Sequence, residues 1–278
     1  MGGVRRGSAL ADLDRGGPAM RLRLNLEYDG APFQGWQVQP DVPTVQGALE
    51  KALTSFYGGR VIRVMGAGRT DTGVHAVGQV AHLDVPEDRG ERIFLKGVNA
   101  LLPAGIRVWR AREVDPDFHA RFQANERIYG YRLLDAPGVF GRLNGWHVPF
   151  EWDREKAEEA SSLLVGKHNF VAMSTKPDPE DDPFCEMRSI EWVRQEDAWL
   201  VRITADRFLR KLVRTIIGTL VETAAGRLSF ENLQALVESG IGKAGVPAPA
   251  EGLALLRVRY PVDDEGDRPG PSPWGTTP

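Results

Sequence analysis

Alternating hydrophobic and polar positions mark the first strands of the chain. Leu22, Leu24 and Leu26 alternate with polar residues, which predicts a half-buried strand, and Ala81, Leu83 and Val85 predict another. The apolar run 61–65 predicts a buried strand that ends at glycines. A strand at 106–114, with Ile106 and Val108 on one face, follows later in the chain.

Spacings near 3.6 residues predict helices between these strands. One helix is capped by Thr44, runs through Val45, Leu49, Leu53 and Phe56, and ends at Gly58 and Gly59. Another is built on Ile93, Val98, Leu101 and Leu102. The first half of the chain therefore has the order β-α-β-β-α-β, which is the split βαβ arrangement of ferredoxin-like folds.

The second half repeats this pattern. The spacing of apolar residues there predicts strands at 127–135, 187–194, 199–205 and 253–260. It also predicts helices at 153–165 and 229–239, and a long helix with a wide apolar face from Phe208 through Leu220. The prediction is an α+β fold with subdomains at 20–118 and 119–262. Residues 1–19 and 263–278 are expected to be disordered tails, with Met20 as the true start, and the acidic stretch 178–182 to be a solvated loop.

Composition limits the class of protein. A hydrophobic content of 42% over 278 residues can build a substantial core. The sequence has no apolar run long enough to cross a bilayer and no signal peptide, so we expect a cytoplasmic protein without membrane contact. The single cysteine, Cys185, excludes an internal disulfide, and we expect no metal or cofactor. The net charge of −3 argues mildly against a nucleic-acid partner, although it averages over local patches.

Residues 66–76 concentrate the candidate chemistry. Three glycines and two threonines surround Arg69 and Asp71 directly after an apolar run, so the Asp71 carboxylate is expected on a loop that is held by the scaffold and open to substrate. An isolated Asp-Thr-Gly is also an ordinary turn former. It is the triplet of aspartic proteases as well, but those need two close carboxylates that share a proton, and Arg69 would favour ionisation. The protease interpretation is therefore disfavoured.

Basic and aromatic residues are interleaved near the centre of the chain, as in a nucleic-acid groove. They are Arg107, Arg110, Arg112, Arg121, Arg127 and Arg132, with Trp109, Phe118, Phe122, Tyr129 and Tyr131. A second basic run holds Arg202, Arg207, Arg210, Lys211 and Arg214, of which the last four are predicted to share one side of the long helix. Arg214 should be largely buried there, and a buried arginine normally requires a carboxylate partner.

Several blocks in order resemble the TruA-type tRNA pseudouridine synthases, from about Leu22 to Tyr260. They are Glu27-Tyr28-Asp29-Gly30, Phe33-Gln34-Gly35-Trp36-Gln37, Thr44-Val45-Gln46, residues 66–76, Gly97-Val98-Asn99, Asp117-Phe118-His119-Ala120-Arg121-Phe122, Arg127-Ile128-Tyr129-Gly130-Tyr131, residues 208–218 and Ala250-Glu251-Gly252-Leu253. Two departures stand out. Thr72 replaces the family's usual alanine, and the 178–182 stretch is acidic where basic residues would suit an RNA surface better.

The resemblance implies isomerisation of uridine to pseudouridine at positions 38, 39 and 40 of the tRNA anticodon arm, without cofactor or metal. It also implies two ferredoxin-like (RRM-like) α/β subdomains sharing one mostly antiparallel sheet, the pseudouridine synthase fold, and a homodimer that binds tRNA. A rival hypothesis is a non-catalytic tRNA-binding or folding protein on the same scaffold.

The resemblance also implies roles for individual residues. Asp71 would be the catalytic carboxylate, Arg69 would help to extrude the base, Tyr129 would stack on the uracil, and Arg214 would pair with Asp71. Tyr131 is expected to face away from the site and belong to the core, and His75 either braces the loop or contacts a phosphate.

Overall fold

The computed structural model describes residues 20–139, 144–175, 182–261 and 272–275. The N-terminal tail 1–19 and the acidic residues 178–181 lie outside these ranges. The strands are β1 (Met20–Tyr28), β2 (Met65–Gly66), β3 (His75–Val85), β4 (Ile106–Glu113), β5 (Glu126–Leu134), β6 (Gly166–Asn169), β7 (Phe184–Arg194), β8 (Ala198–Ala205) and β9 (Leu253–Arg259). The helices are α1 (Val45–Phe56), α2 (Glu91–Leu101), α3 (Arg154–Ser162), α4 (Leu212–Ala224) and α5 (Phe230–Ser239).

All nine strands belong to one sheet. The order along it is β4-β1-β3-β9-β5-β8-β7-β6, and β2 pairs with β3 off this path. Each half therefore has the ferredoxin-like order, as β4-β1-β3-β2 and as β9-β5-β8-β7. Most pairings are antiparallel, but the halves meet through the parallel pair β3–β9, at His75 with Ala254 and Ala76 with Leu255. The α+β prediction with two ferredoxin-like units sharing one sheet is confirmed.

The five helices share one face of this sheet. Their apolar residues, such as Leu49, Phe94 and Ile216, belong to a single large core cluster with the inward-facing residues of the strands. A smaller cluster includes Ile128 and Leu200, whose strand neighbours Tyr129 and Val201 belong to the large cluster. Successive strand residues point to opposite faces, so the small cluster lies on the other side of the sheet. No helix in the described ranges is long and apolar enough to cross a membrane.

Strand β1 is buried on both faces, so its prediction as a half-buried strand was wrong. Leu24 and Leu26 are buried as expected, but Arg23 is only 2% exposed. The Arg23 guanidinium lies over the rings of Tyr260, at 4.4 Å, and Phe118, at 5.7 Å. Aromatic rings from distant segments thus cover a charged side chain, which the alternation within β1 could not indicate.

Two element boundaries and the buried face of one helix differ from the predictions. The run 61–65 forms a strand only from Met65, although Ile62 and Val64 are buried as its alternation requires. In α2 the buried residues are Phe94 and Val98, whereas Ile93 and Leu101 are exposed. The long helix begins at Leu212 and not at Phe208, because Lys211 adopts a left-handed conformation with a φ of 62°. Arg207, Arg210 and Lys211 therefore precede the helix.

Part of the C-terminal tail is ordered against the sheet, although 263–278 was predicted to be disordered. Residues 272–275 are described, and Trp274 is 5% exposed. Its indole Nε1 donates to the Gly252 carbonyl over 3.1 Å, and its ring lies 5.0 Å from that of His75. The tail residue Trp274 therefore completes the smaller core cluster.

Candidate active site

The loop 67–74 leaves the sheet at a fork beside β3. Strand β1 pairs along one edge of β3, so β2 and β9 must share the other edge. Strand β2 pairs there at Ala81 and His82, and β9 pairs at His75 and Ala76. The loop emerges between the two, where the halves of the molecule meet, and it carries Asp71 to this junction.

Hydrogen bonds fix the loop on both sides of Asp71. The Trp36 amide donates to the Thr70 carbonyl over 3.1 Å, and the hydroxyls of Tyr28 and Thr70 lie 2.8 Å apart. The Gln79 amide side chain donates to the Gly68 carbonyl over 3.0 Å and to the Tyr28 hydroxyl over 3.3 Å. Burial raises the pKa of Tyr28 to about 12, so its hydroxyl stays protonated.

Gly35 permits the close approach of a second loop. Its φ is +82°, and a Cβ added there would lie 2.8 Å from the Thr70 carbonyl oxygen. Any other residue would therefore be strained in backbone conformation and would also push against the loop that holds Asp71. The block 33–37 thus supports the loop 67–74.

Asp71 faces Arg214 across the junction. Arg214 lies in the first turn of α4, and its Nη1 is 3.6 Å from Oδ2 of Asp71. Its Nε donates to the Ala248 carbonyl over 2.7 Å, which fixes the guanidinium. The side chains of Arg214 and Asp71 are 16% and 24% exposed. The carboxylate therefore stays accessible while a positioned cation lies beside it.

Tyr129 borders the same junction from β5. It is 9% exposed, and its ring packs edge-on against Phe208 at 5.1 Å between centroids. Burial raises the pKa of Tyr129, and the charge of Asp71 raises it further, so the hydroxyl is neutral near pH 7. A Cβ added at Gly68 would lie 4.0 Å from this hydroxyl, which places Tyr129 against the loop 67–74.

Arg69 lies at the surface of the molecule, whereas Tyr131 lies in the core. Arg69 is exposed, and its guanidinium makes no hydrogen bond or ion pair with another described residue. Tyr131 is fully buried, and its hydroxyl donates to the Pro249 carbonyl over 2.8 Å. It was expected to face away from Tyr129, which was wrong, because residues two apart in a strand share a face. Both rings belong to the large core cluster.

His75 braces the loop and does not reach the surface. It is buried, its Nδ1 accepts from the Gly30 amide over 3.2 Å, and the Asp29 carboxylate lies 3.1 Å away. Burial lowers the pKa of His75 more than Asp29 raises it, so the ring is neutral near pH 7 and Nδ1 is free to accept. Of the two expected roles, loop bracing is the one its burial allows.

The predicted basic and aromatic cluster separates in space. Arg107, Arg110 and Arg112 lie on the edge strand β4, and three strands separate β4 from β5. Arg132 is buried and pairs with Asp197 at 2.7 Å, so it is a structural ion pair and not part of a groove. The residues that remain near the loop 67–74 are Arg121, Phe122, Arg127 and Tyr129.

Arg127 binds four backbone carbonyls from three parts of the chain, a role that sequence reasoning missed. Its guanidinium donates to the carbonyls of Ala67, Arg121, Ala124 and Asp206, at 2.7 to 3.2 Å. Burial lowers its pKa, and the four carbonyls compensate for the loss of water. In the sequence, Arg127 was unusual only as a charged residue in an apolar strand. No local pattern indicates which distant backbone carbonyls its side chain binds.

The class of protein is defined by two ferredoxin-like units on one sheet, with the accessible Asp71 carboxylate facing Arg214 where the units meet. The sequence model of a family described as "tRNA pseudouridine synthase" matches residues 26–123 and 160–261. The chain therefore belongs to the tRNA pseudouridine synthase family, which sets the protease interpretation aside.

Relatives align with the chain over nearly their full length. A protein named tRNA pseudouridine synthase A from Bacillus licheniformis is 40% identical over 87% of this chain and 99% of its own. Proteins of the same name are 41% identical in Rhodospirillum rubrum, over 87% and 88%, and in Photobacterium profundum, over 88% and 94%. A solved Cbf5-Nop10-Gar1 complex aligns at 11% identity over 84% of this chain and 57% of that chain, with a TM-score of 0.34, too low to support any conclusion.

Proposed function

We propose that this protein converts uridine to pseudouridine at positions 38, 39 and 40 of the tRNA anticodon arm. Family membership and the names of the relatives support uridine isomerisation in tRNA. The positions follow from the TruA-type resemblance. The observation that carries the proposal is the accessible Asp71 carboxylate facing Arg214 at the junction of the two halves.

One carboxylate suffices for the reaction. The N1–C1′ bond of uridine breaks, the uracil turns, C5 bonds to C1′, and the proton on C5 leaves as N1 gains one, so no atoms are added or lost. An ionised Asp71 can serve as a nucleophile toward the sugar or the base, or stabilise a cationic sugar. Arg214 would keep Asp71 anionic and fix its direction.

Arg69 and Tyr129 would both act in flipping the base out of the RNA. A uridine stacked in the anticodon arm must leave its stack, which costs a few kcal/mol unless another group fills its place. Arg69 is exposed on the same loop and would occupy that space. Tyr129, beside the loop, would hold the extruded uracil while it turns, since stacking on an aromatic ring contributes about 1–3 kcal/mol per base. The enzyme would work in the cytoplasm as a homodimer. Light scattering of the purified protein would check the oligomeric state.

The central test is Asp71→Asn, which keeps the shape of the side chain and removes its charge. We expect pseudouridine formation on an anticodon-arm RNA to fall at least about 10³-fold, because the reaction then lacks the proposed catalytic carboxylate. The dissociation constant for tRNA should change less than about threefold. Asp88→Asn, the same change at an exposed aspartate beside α2, is the matched control and should stay fully active.

The same experiment distinguishes the proposed enzyme from the alternative, a non-catalytic tRNA-binding protein. A non-catalytic tRNA-binding protein needs no carboxylate in the groove, and its wild type would form no pseudouridine. Undiminished activity of Asp71→Asn would instead remove Asp71 from the mechanism while leaving the family assignment in place.

A further inference from the structure

The rings of His119 and Phe122 stack on each other near the loop 67–74, which is called the catalytic loop from here on because it carries Asp71. We propose that His119, Arg121 and Phe122, here called the His119–Phe122 ledge, form a stacking site for a nucleobase of the RNA substrate next to the isomerised uridine. This inference rests on the proposed function and adds a binding contact to it. The contact lies outside the Asp71–Arg214–Tyr129 site.

The geometry leaves one ring face open. The rings of His119 and Phe122 stack at 4.3 Å between centroids with an interplanar angle of 30°. Phe122 is nevertheless 75% exposed, more than any other large apolar side chain in the described residues. Its ring is covered by His119 on one side and presents the other side outward. A flat apolar face of this kind accepts any nucleobase, because every base has a π face.

Hydrogen bonds make the ledge rigid before any ligand arrives. Nδ1 of His119 accepts from the backbone amides of Arg121, at 3.2 Å, and Phe122, at 3.3 Å. Partial burial lowers the pKa of His119, and the charge of Arg21 lowers it further, so Nδ1 is unprotonated near pH 7 and able to accept. The turn that carries Phe122 is thus fixed by the ring on which Phe122 stacks, which reduces the entropy lost on binding.

The ledge is linked to the catalytic loop through one atom. Nη2 of Arg127 donates to the Arg121 carbonyl over 2.7 Å and to the Ala67 carbonyl over 3.2 Å. Ala67 begins the loop that carries Arg69 and Asp71. A base stacked on Phe122 would therefore belong to a nucleotide close to the one at the active site.

The charge around the ledge suits RNA. Arg121 is exposed, its guanidinium lies 5.6 Å from the Phe122 ring, and it makes no salt bridge or hydrogen bond through that group with another described residue. An exposed cation beside an open aromatic face matches a nucleobase with its phosphate, whereas an apolar protein partner would leave the Arg121 guanidinium without a counter-charge.

The first test separates stacking from structure. Phe122→Ala should raise the KM for a tRNA transcript about 5- to 20-fold, an effect on the order of one lost base stack, and leave kcat within twofold. Phe122→Trp keeps a flat ring and should retain the wild-type KM, while Phe122→Leu should behave like the alanine variant. Ile93→Ala, another exposed apolar residue, is the control.

The second test identifies the stacked nucleotide. Anticodon-arm RNAs that each lack one base near the target uridine are assayed with wild type and Phe122→Ala. For one of these RNAs we expect wild type to show the raised KM already, and Phe122→Ala to add nothing, because the same contact is missing in both.

Three outcomes overturn the inference. One is a KM of Phe122→Ala within twofold of wild type, and another is a full additional loss for every base-deleted RNA. The third is a changed oligomeric state or a Tm lowered by more than a few degrees in Phe122→Ala, which would show that the ring is covered by this chain or a second copy. If the proposed function itself is wrong, wild type forms no pseudouridine, so the two failures are distinguishable.

Discussion

At the scale of single residues, the candidate site depends on groups kept in one protonation state by their surroundings. Tyr28 and Tyr129 are both buried, and burial raises the pKa of each hydroxyl, so neither ionises near pH 7. Asp71 is the acidic group of the loop 67–74, and its side chain is 24% exposed. This division assigns acid–base and nucleophilic work to the carboxylate and leaves the tyrosines to position and stack.

Tyr129→Phe tests that division. We expect kcat to fall less than about tenfold, because the ring that would stack on the uracil and pack against Phe208 remains. Tyr129→Ala should lose at least about 100-fold in kcat/KM, since both contacts disappear. Tyr57→Phe, a buried tyrosine at the end of α1, sets the background. Complete loss in Tyr129→Phe would instead assign its hydroxyl a proton-transfer role.

The residue roles were not all available from the sequence. The glycine-rich loop pointed to Asp71, whereas the partnership with Arg214 came from resemblance, because the two residues are far apart in the chain. The contacts of Gln79 and Arg127 were missed, since their partners are backbone carbonyls of other segments. A sequence shows which side chains are unusual for a strand but not which distant carbonyl they reach.

At the scale of elements, local signals predicted local structure well. Helix α1 starts where Thr44 caps it, because the cap and the apolar period both lie within the segment itself. The predicted start of α4, at Phe208, was wrong because it relied on the apolar period alone. Phe208 and Leu209 continue the apolar pattern and pack against the core, but periodicity reports burial and not backbone conformation, so it extended the helix past the left-handed Lys211.

Gly35→Ala tests how the supporting loop holds the catalytic one. The added Cβ would lie 2.8 Å from the Thr70 carbonyl at a φ of +82°, so we expect the free energy of unfolding to fall by about 2–4 kcal/mol. Gly58→Ala is matched in backbone strain, with a φ of +67°, but its Cβ meets nothing within 4 Å, and it should cost only about 1 kcal/mol. Urea unfolding measures both, and equal losses would show that the contact with Thr70 is not tight.

At the scale of the whole molecule, the sheet joins two similar halves and is covered by helices on one face. The repeat of β-α-β-β-α-β was predictable because each half carries its own pattern. The parallel junction β3–β9 was not, since only two residue pairs make it and nothing in either strand marks the other as its neighbour.

Global stability should depend on pH through His82. Burial and, to a lesser extent, the charges of His119 and Arg21 together lower its pKa to about 4, although Asp84 acts in the opposite direction. The unfolded chain therefore binds the extra proton between pH 6.5 and 4, so this stability is fully present above pH 6.5 and is lost as the pH falls through that window. We expect a loss of at most about 2 kcal/mol at pH 4.5 relative to pH 7.

Urea unfolding at both pH values checks this dependence. His82→Asn should reduce the difference between them, whereas His168→Gln, a histidine of β6 outside this cluster, should leave it unchanged. The same difference in His82→Asn as in wild type would assign the pH dependence to other groups.

The parallel pair between β3 and β9 also bears on how the protein is made. Synthesis runs from the N-terminus, and domains generally fold as they emerge, so the half that carries Asp71 is complete long before Leu253 leaves the ribosome. Until then one edge of β3 has no partner at His75 and Ala76, and an open strand edge invites pairing with other chains. A chain terminated before β9 would carry every proposed catalytic residue without the strand that joins its halves. We therefore expect early termination to yield an aggregating fragment without activity.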